Sequence, residues 1–350
     1  MRKSNFNKIV LYSLLMMLFI IPSQRVFGAD SSSKCKVYIL AGQSNMVGIG
    51  MNHELSSEYL GVQEKVKIYA EGTVNSSLKG VWSPLRPGFG GDSGCFGPEL
   101  TFGRDMSAAY PDSEILLIKC GWSATSLQSD WRSPSAGGTT GVLYTNLVET
   151  VDKALGALDK NIDYELSGMC WMQGESDACS TYGGNAYEDN LTAFINDVRK
   201  EFDAPALPFV IAMIDDSSVW AENALVRQAE INISKNVPYV GIFDTKDLDT
   251  DGTHYKTQGL LDMGADFAKT MLSMTSPSKI VYGDVSGDGN FNSIDFAAVR
   301  KYLLGITDGF TYSDWKTTGD VNGDKNINAL DFAYMRSRLL GMINKFPVEQ

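Results

Sequence analysis

One segment near the C-terminus occurs twice, and this duplication constrains the fold more than any other feature of the sequence. Gly283–Asp295 recurs as Gly319–Asp331, and each copy continues into a helix-like stretch that ends in Leu-Leu-Gly. Hard Ca²⁺ prefers about six to eight oxygen ligands, which such loops supply from positions 1, 3, 5, 7 and 12. Metal-free turns rich in Asp, Asn and Gly have no reason to repeat in register with matching helices. The duplication therefore predicts two calcium loops.

The predicted calcium ligands follow from the loop positions. In the first loop they are Asp284, Ser286, Asp288, Asn290 and Asp295, and in the second they are Asp320, Asn322, Asp324, Asn326 and Asp331. Position 7 contributes its backbone carbonyl. Position 12 is Asp instead of the Glu found in the usual helix–loop–helix site, which fits a loop that has only its second helix. We assign residues 282–346 to this small, all-α module.

The N-terminus has the pattern of an export signal. Basic residues precede the apolar run Ile9–Ile21, Pro22 ends the run, and small residues follow. The run is shorter than the roughly 20 residues of a membrane-spanning helix, which argues against an anchor. We predict a signal peptide over residues 1–28, cleaved between Gly28 and Ala29, and hence a secreted, extracellular protein without membrane attachment.

Between these two regions, short apolar runs alternate with amphipathic stretches. The predicted strands are Val37–Ala41, Ile115–Cys120, Leu166–Met172, Phe209–Met213 and Tyr239–Phe243. The predicted helices are Glu99–Ala109, Tyr144–Leu158, Tyr187–Glu201, Asn223–Lys235 and Gln258–Met274. This alternation predicts an α/β domain over residues 29–274, with helices on both faces of a parallel sheet. Its ligand site should lie beyond the carboxyl ends of the strands. Residues 275–281 are predicted to be a linker.

Charge and cysteine content narrow the possible functions. The net charge is −12 and Lys and Arg form no cluster, which argues against a nucleic-acid partner. Of the five cysteines, Cys120 and Cys170 end apolar runs and are expected in the core. Cys95 and Cys179 lie in Gly-rich loops and could pair, although the sequence does not determine the connectivity.

A serine follows the first predicted strand in Gly42-Gln43-Ser44-Asn45-Met46, where a nucleophile would be useful. A serine hydroxyl needs a base at neutral pH, and the chain has only two histidines, His53 and His254. His254 has Asp251 three residues upstream, so one loop could supply the base and a carboxylate that orients it. His53 lacks such a partner and is expected to be a surface residue. We predict Ser44, His254 and Asp251 as the catalytic residues.

Two further residues follow other strands and could stabilise an oxyanion. Gln173 stands in Trp-Met-Gln-Gly-Glu at the end of the third predicted strand, and its amide N–H₂ could donate to developing negative charge. Backbone N–H groups near Ser123 follow the second predicted strand. Structural roles for Trp171 and Gln173, as core and loop residues, remain the alternative.

Together these motifs resemble those of the SGNH hydrolases, and within them carbohydrate esterase family 6 and the sialate O-acetylesterase-like proteins. The resemblance covers most of residues 35–274 and implies a flavodoxin-like α/β/α fold. It also implies that Ser44 is nucleophile and first oxyanion donor, that Gln173 is the side-chain donor, and that His254 and Asp251 are the base and its orienter. The family usually has Gly-Gly where this chain has Ser123-Ala124. A backbone donor tolerates that change unless the position requires positive φ.

The C-terminal module resembles a type I dockerin over its whole length. The resemblance implies that its partner is a cohesin module of a scaffoldin. Positions 10 and 11 of the loops match the family's cohesin-recognition positions, and these residues are Ser293, Ile294, Ala329 and Leu330. Lys325 replaces the glycine expected at position 6 of the second loop.

These resemblances imply a cellulosomal acetyl esterase that acts on acetylated plant polysaccharide, with acetylxylan as the expected substrate. The serine chemistry needs neither a metal nor an organic cofactor, so calcium is expected only in the tail. A sialate O-acetylesterase shares the motifs and stays open as an alternative. A non-catalytic carbohydrate-binding component is the alternative from outside the enzymes. The preferred acetyl position, the oligomeric state and the particular cohesin do not follow from the sequence.

Overall fold

The protein is described here from a computed structural model. The structure describes residues 34–275, 280–310, 312 and 314–349. The predicted signal peptide and residues 276–279 of the predicted linker lie outside the described residues, and both stay predictions.

The described residues form α/β elements followed by short helices. The strands are β1 (Cys35–Gly42), β2 (Gly50–Met51), β3 (Gln63–Gly72), β4 (Ser83–Leu85), β5 (Cys95–Phe96), β6 (Ile115–Gly121), β7 (Tyr164–Met172), β8 (Phe209–Ala212) and β9 (Val240–Phe243). The helices are α1 (Ser44–Val47), α2 (Glu99–Ala109), α3 (Val142–Gly156), α4 (Thr181–Glu201), α5 (Asn223–Asn236), α6 (Thr257–Thr275), α7 (Ser293–Leu303), α8 (Trp315–Gly319) and α9 (Ala329–Leu339).

Seven strands form one sheet in the order β4-β3-β6-β1-β7-β8-β9, and every pairing is parallel except that of β3 with β4. The five strands predicted from the sequence are β1, β6, β7, β8 and β9. Numbered among themselves, they stand in the order 2-1-3-4-5 of a flavodoxin-like sheet. Strands β3 and β4 extend this sheet beyond β6. Strands β3, β4 and β6 lie on one side of β1, and strands β7, β8 and β9 lie on the other. At this change of direction a crevice opens beyond the carboxyl end of β1.

The side chains of the central strands show that helices cover both faces. Tyr38 of β1 packs edge-to-face on Phe102 of α2, with ring centroids 5.4 Å apart. The ring centroids of Trp171 of β7 and Phe194 of α4 lie 4.6 Å apart. Tyr38 stands beside Gly168 in the register, and Trp171 lies three residues further along β7. Because side chains alternate along a strand, the two aromatic contacts lie on opposite faces. The buried apolar runs β1, β6 and β7 therefore form the centre of a sheet covered on both sides.

The tail has its own small hydrophobic core, built by the two copies of the repeat. Val285 and Val321 occupy matching loop positions and are both fully buried. Phe296 of α7 stacks on Phe332 of α9 with ring centroids 4.1 Å apart and planes 6° from parallel. Equivalent residues of the two copies thus face each other, as expected for a duplicated unit that buries its apolar side against its own copy.

The cysteines are partly as predicted. Cys120 and Cys170 are fully buried, which confirms the prediction for both. The suggested pair of Cys95 and Cys179 is wrong, because all five thiols are free. Cys95 is buried in β5, whereas Cys179 is exposed. Among the described residues, no helix combines the length and apolar character needed to cross a membrane.

Candidate active site

Ser44 lies where β1 ends at the carboxyl edge of the sheet, as the first residue of the short helix α1. The turn into this helix requires Gly42, which has φ of 150°, and a Cβ there would stand 1.9 Å from the carbonyl oxygen of Met172. The close approach of β1 to β7 thus fixes the position of the serine. As the first residue of a helix, Ser44 also has a backbone N–H without an intrahelical acceptor.

His254 reaches the serine from a loop that precedes α6. Its Nε2 lies 3.1 Å from the Oγ of Ser44, across 210 positions of sequence. Both residues are half-buried, so the pair is accessible from solvent. A histidine at this distance can accept the hydroxyl proton as the serine attacks a carbonyl carbon. His53 is exposed in the turn Asn52–Glu54, as expected of a surface residue.

Asp251 supports the histidine loop through the backbone. Its Oδ1 accepts hydrogen bonds from the N–H groups of Thr253 at 2.9 Å and His254 at 2.8 Å. These two bonds hold the pKa of the Asp251 carboxyl below its usual value. Among the hydrogen bonds of the described residues, none joins this carboxylate to the imidazole. The sequence predicts that the Asp251 carboxylate accepts a hydrogen bond from the imidazole ring, and the structure corrects this prediction. Because Asp251 stands only three residues before His254, its carboxylate instead accepts from main-chain N–H groups of the same loop.

Ser123 and Ala124 follow β6, which neighbours β1. The N–H of Ser123 donates to the hydroxyl of Thr73 at 3.3 Å. Ala124 has φ of 57°, in the left-handed region that favours glycine. The position at which the resembling family usually has glycine therefore requires positive φ in this chain. The alanine adopts this conformation at a cost of roughly 1 kcal/mol.

Gln173 follows β7 but is fully buried beneath the site. Its amide nitrogen donates to the carboxylate of Asp177 at 2.7 Å and to the carbonyl of Thr125 at 3.0 Å. Asp177 also accepts from the N–H groups of Leu127 and Gln128. An amide has two N–H hydrogens, and protein acceptors occupy both here. In this structure Gln173 therefore connects the loops after β6 and β7, and offers no spare hydrogen to an oxyanion, which departs from the expectation.

Two buried polar residues near the site are not among the residues predicted from the sequence. Asn45, next to the nucleophile, contacts Glu175 and the histidine loop. Lys119 of β6 is fully buried, and its Nζ donates to Glu99, to the Val47 carbonyl at the end of α1 and to the Phe89 carbonyl. Asn45 stands in the quoted nucleophile motif, which is a signal for its importance. Lys119 gives a weaker signal, a lone charge inside the apolar run of β6.

The calcium loops in the tail have geometry suited to the ion. The carboxylate oxygens of Asp284, Asp288 and Asp295 lie within 4.8 Å of one another, and so do those of Asp320, Asp324 and Asp331. In each loop the first aspartate accepts backbone N–H bonds from the turn, such as Gly287 at 2.7 Å and Gly323 at 2.8 Å. Hard oxygen ligands converging in this way fit Ca²⁺.

The structure also shows the conformation of the residue at position 6 of each calcium loop and the exposure of the predicted cohesin-contact residues. Lys325 has φ of 68°, and its counterpart in the first loop, Gly289, has φ of 86°. The second loop thus takes the same strained turn without glycine. The predicted cohesin-contact residues are exposed at the first turns of α7 and α9, and these residues are Ser293, Ile294, Ala329 and Leu330.

Comparison with known proteins agrees with this organisation. Residues 34–273 match the family model "Carbohydrate esterase, sialic acid-specific acetylesterase". Residues 282–340 match the type I dockerin domain. The chain is 25% identical over 253 residues to a "Probable carbohydrate esterase" of Arabidopsis thaliana, a match that covers 68% of this chain and 90% of the relative.

Two solved structures have a similar fold. The structure of the same Arabidopsis protein aligns with a TM-score of 0.55 and 21% identity, over 69% of this chain and 98% of the other. A carbohydrate acetylesterase from Xanthomonas citri aligns with a TM-score of 0.52 and 18% identity, over 68% of this chain and 56% of the other. The family match spans well over half of the sequence. The chain therefore belongs to the carbohydrate esterase family of sialic acid-specific acetylesterases, and it is a carboxylic ester hydrolase that carries a type I dockerin domain.

Proposed function

We propose that this chain is a secreted cellulosomal esterase that removes O-acetyl groups from plant cell-wall polysaccharide, with acetylxylan as the substrate. The observation that carries the proposal is the 3.1 Å contact between Ser44 Oγ and His254 Nε2 at the carboxyl edge of the sheet. The finer relationship to SGNH hydrolases and carbohydrate esterase family 6 is part of this proposal, and the nucleophile and histidine motifs support it.

The proposed reaction proceeds through an acetyl-enzyme. Ser44 Oγ attacks the acetyl carbonyl carbon while its proton passes to His254 Nε2. The tetrahedral intermediate collapses, the C–O bond to the sugar breaks, and the imidazolium protonates the departing sugar oxygen. A water molecule then attacks the acetyl-serine with His254 as base, which releases acetate and restores the serine. Asp251 keeps the backbone of the histidine loop in place through its two N–H contacts.

Oxyanion stabilisation is assigned to three groups. The Ser44 N–H at the start of α1 is the first donor, because it needs no rearrangement. The Ser123 N–H becomes the second donor by giving up its long bond to Thr73. Gln173 becomes the third by exchanging its bond to the Thr125 carbonyl for the substrate oxygen, while its bond to Asp177 holds the amide in place.

The tail is proposed to hold two calcium ions and to bind a cohesin module. The carboxylates of each loop would hold the ion, which neutralises their mutual repulsion and fixes the starts of α7 and α9. The exposed side chains of Ile294 and Leu330, 65% and 49% accessible, support the proposed contact surface. A dockerin would recruit the esterase to a scaffold that carries other polysaccharide-degrading enzymes, which favours a plant polysaccharide as substrate.

A second candidate function is sialate O-acetylesterase, which the description of the matching family favours. The test is acetate release by the purified full chain with calcium, from acetylated xylan and separately from an O-acetylated sialic acid. The proposal expects a clearly higher kcat/KM for acetylated xylan. A preference for the sialic acid ester would overturn the substrate assignment and keep the esterase chemistry.

A further inference from the structure

A buried amide connects the nucleophile to the loop that carries the histidine. Asn45 is the residue after Ser44 and is only 3% exposed. Its Nδ2 donates to the carbonyl oxygen of Thr253 at 3.2 Å, and its Oδ1 accepts from the N–H of Tyr255 at 3.2 Å. Asn45 therefore holds the peptide groups on both sides of His254, the residue between them.

A buried carboxylate fixes the orientation of this amide. Glu175 is 1% exposed, and its Oε1 accepts the second hydrogen of Asn45 Nδ2 at 2.7 Å. The two N–H hydrogens and the oxygen of the Asn45 amide are then all used. A flipped amide would set its oxygen against two acceptor oxygens, so Glu175 allows only one orientation. The carboxylate has no other protein partner for its Oε2 among the described residues.

We propose that Asn45 is a positioning residue for the esterase reaction, and that Glu175 acts through it by fixing its amide. This inference rests on the proposed Ser44–His254 mechanism. The two hydrogen bonds from Asn45 to the peptide groups on either side of His254 set the distance between the imidazole and the serine hydroxyl. Without them, Asp251 still holds the N–H of His254, but nothing among the contacts described links the loop to α1 except the Ser44–His254 contact itself.

The test compares Asn45→Leu with a matched control in the full chain with calcium. Asn232 donates to Glu188 at the same 2.7 Å between helices α5 and α4, so Asn232→Leu removes an Asn–Glu pair of the same chemistry. With 4-nitrophenyl acetate as substrate, Asn45→Leu should lower kcat about 100-fold, the effect of roughly 1 Å of misplacement. KM should change less than about threefold, because the lost interaction acts on the transition state. Inactivation by a serine-directed sulfonyl fluoride should slow in parallel.

Glu175 supplies a second, independent pair of variants. Glu175→Gln keeps an oxygen acceptor for Asn45 and should retain kcat within about threefold, whereas Glu175→Met removes it and should reproduce the loss seen in Asn45→Leu. If Asn45→Leu does not fold, this pair decides alone. The inference is overturned if Asn45→Leu keeps kcat, if Asn232→Leu loses as much, or if the two Glu175 variants behave alike. Full activity in Ser44→Ala would instead overturn the proposed mechanism itself.

Discussion

Replacing Lys119 with methionine should destabilise the esterase domain strongly, because the lysine is paired and fully buried. Its Nζ lies 2.6 Å from Glu99 Oε2, 2.8 Å from the Val47 carbonyl and 2.9 Å from the Phe89 carbonyl. Burial lowers the pKa of Lys119, and the neighbouring Glu99 opposes this shift. Methionine fills similar volume but leaves the Glu99 carboxylate without its cation and both carbonyls without a donor.

The expected magnitude follows from breaking a buried ion pair from one side. Removing one partner costs about 3 to 5 kcal/mol, because an uncompensated charge stays buried. At a urea dependence of about 2 to 3 kcal/mol per molar, the midpoint should fall by roughly 1 to 2.5 M. Adding Glu99→Gln to Lys119→Met should recover about 1 kcal/mol or more, since the buried charge is then gone.

The assay is equilibrium unfolding of the full chain in urea with calcium, with residual esterase activity as the readout specific to this domain. At urea concentrations too low to unfold the protein, the activity of Lys119→Met should also be lower than that of the wild type. The reason is that Lys119 holds the Val47 carbonyl, which ends the helix that begins at Ser44. A cost below about 1 kcal/mol in Lys119→Met would refute the reasoning. So would a double variant less stable than Lys119→Met alone.

Three further predictions test other parts of the structure. Asp251→Ala removes the acceptor that holds the backbone N–H groups of Thr253 and His254, so it should lower kcat far more than it changes KM. His53→Ala should leave both unchanged, which steady-state kinetics on a small acetyl ester would check; a reversed result would move the base to His53. Burial raises the pKa of Glu175 from 4.5 to about 7, so the folded state binds the proton more tightly and stability should decline as pH rises from about 4.5 to 7, by at most about 3 kcal/mol. Urea midpoints across this range should show the decline, and a decline just as steep in Glu175→Gln would contradict the assignment. Chelation of calcium should unfold residues 282–346, which hydrogen exchange of the full chain would detect, while hydrolysis of a small ester continues. If chelation unfolded this segment and also stopped ester hydrolysis, the two regions would not be independent.

The parts of the fold that could be predicted are those whose signal is local. Strands β1, β6 and β7 are continuous apolar runs because helices cover both faces of the sheet, and such runs are visible in the sequence. The calcium loops could be predicted because two copies share one ligand spacing. Strand β3, Gln63–Gly72, went unpredicted because it begins with the polar residues Gln63, Glu64 and Lys65, and its buried residues start only at Val66. It pairs with β6 at one side and only the three-residue β4 at the other.

The candidate site was predictable in its residues and less so in its contacts. Ser44 and His254 follow from the need of a serine for a base in a chain with two histidines, and the structure brings them within hydrogen-bond distance. The use of the Gln173 amide by Asp177 depends on how two loops fold over each other, which the residue types alone do not determine. The contacts of Asn45 with residues 208 and 210 positions away have the same origin.

The most direct test of the account is acetate release from acetylated xylan by the wild-type chain and by Ser44→Ala, both with calcium. The serine oxygen forms the acetyl-enzyme, so its loss should lower the rate by about 10⁴- to 10⁶-fold while the chain stays folded. The account predicts acetate from the wild type and almost none from Ser44→Ala at equal thermal stability. Retention of more than about a tenth of the wild-type rate in Ser44→Ala would contradict it, because another group would then have to attack the ester.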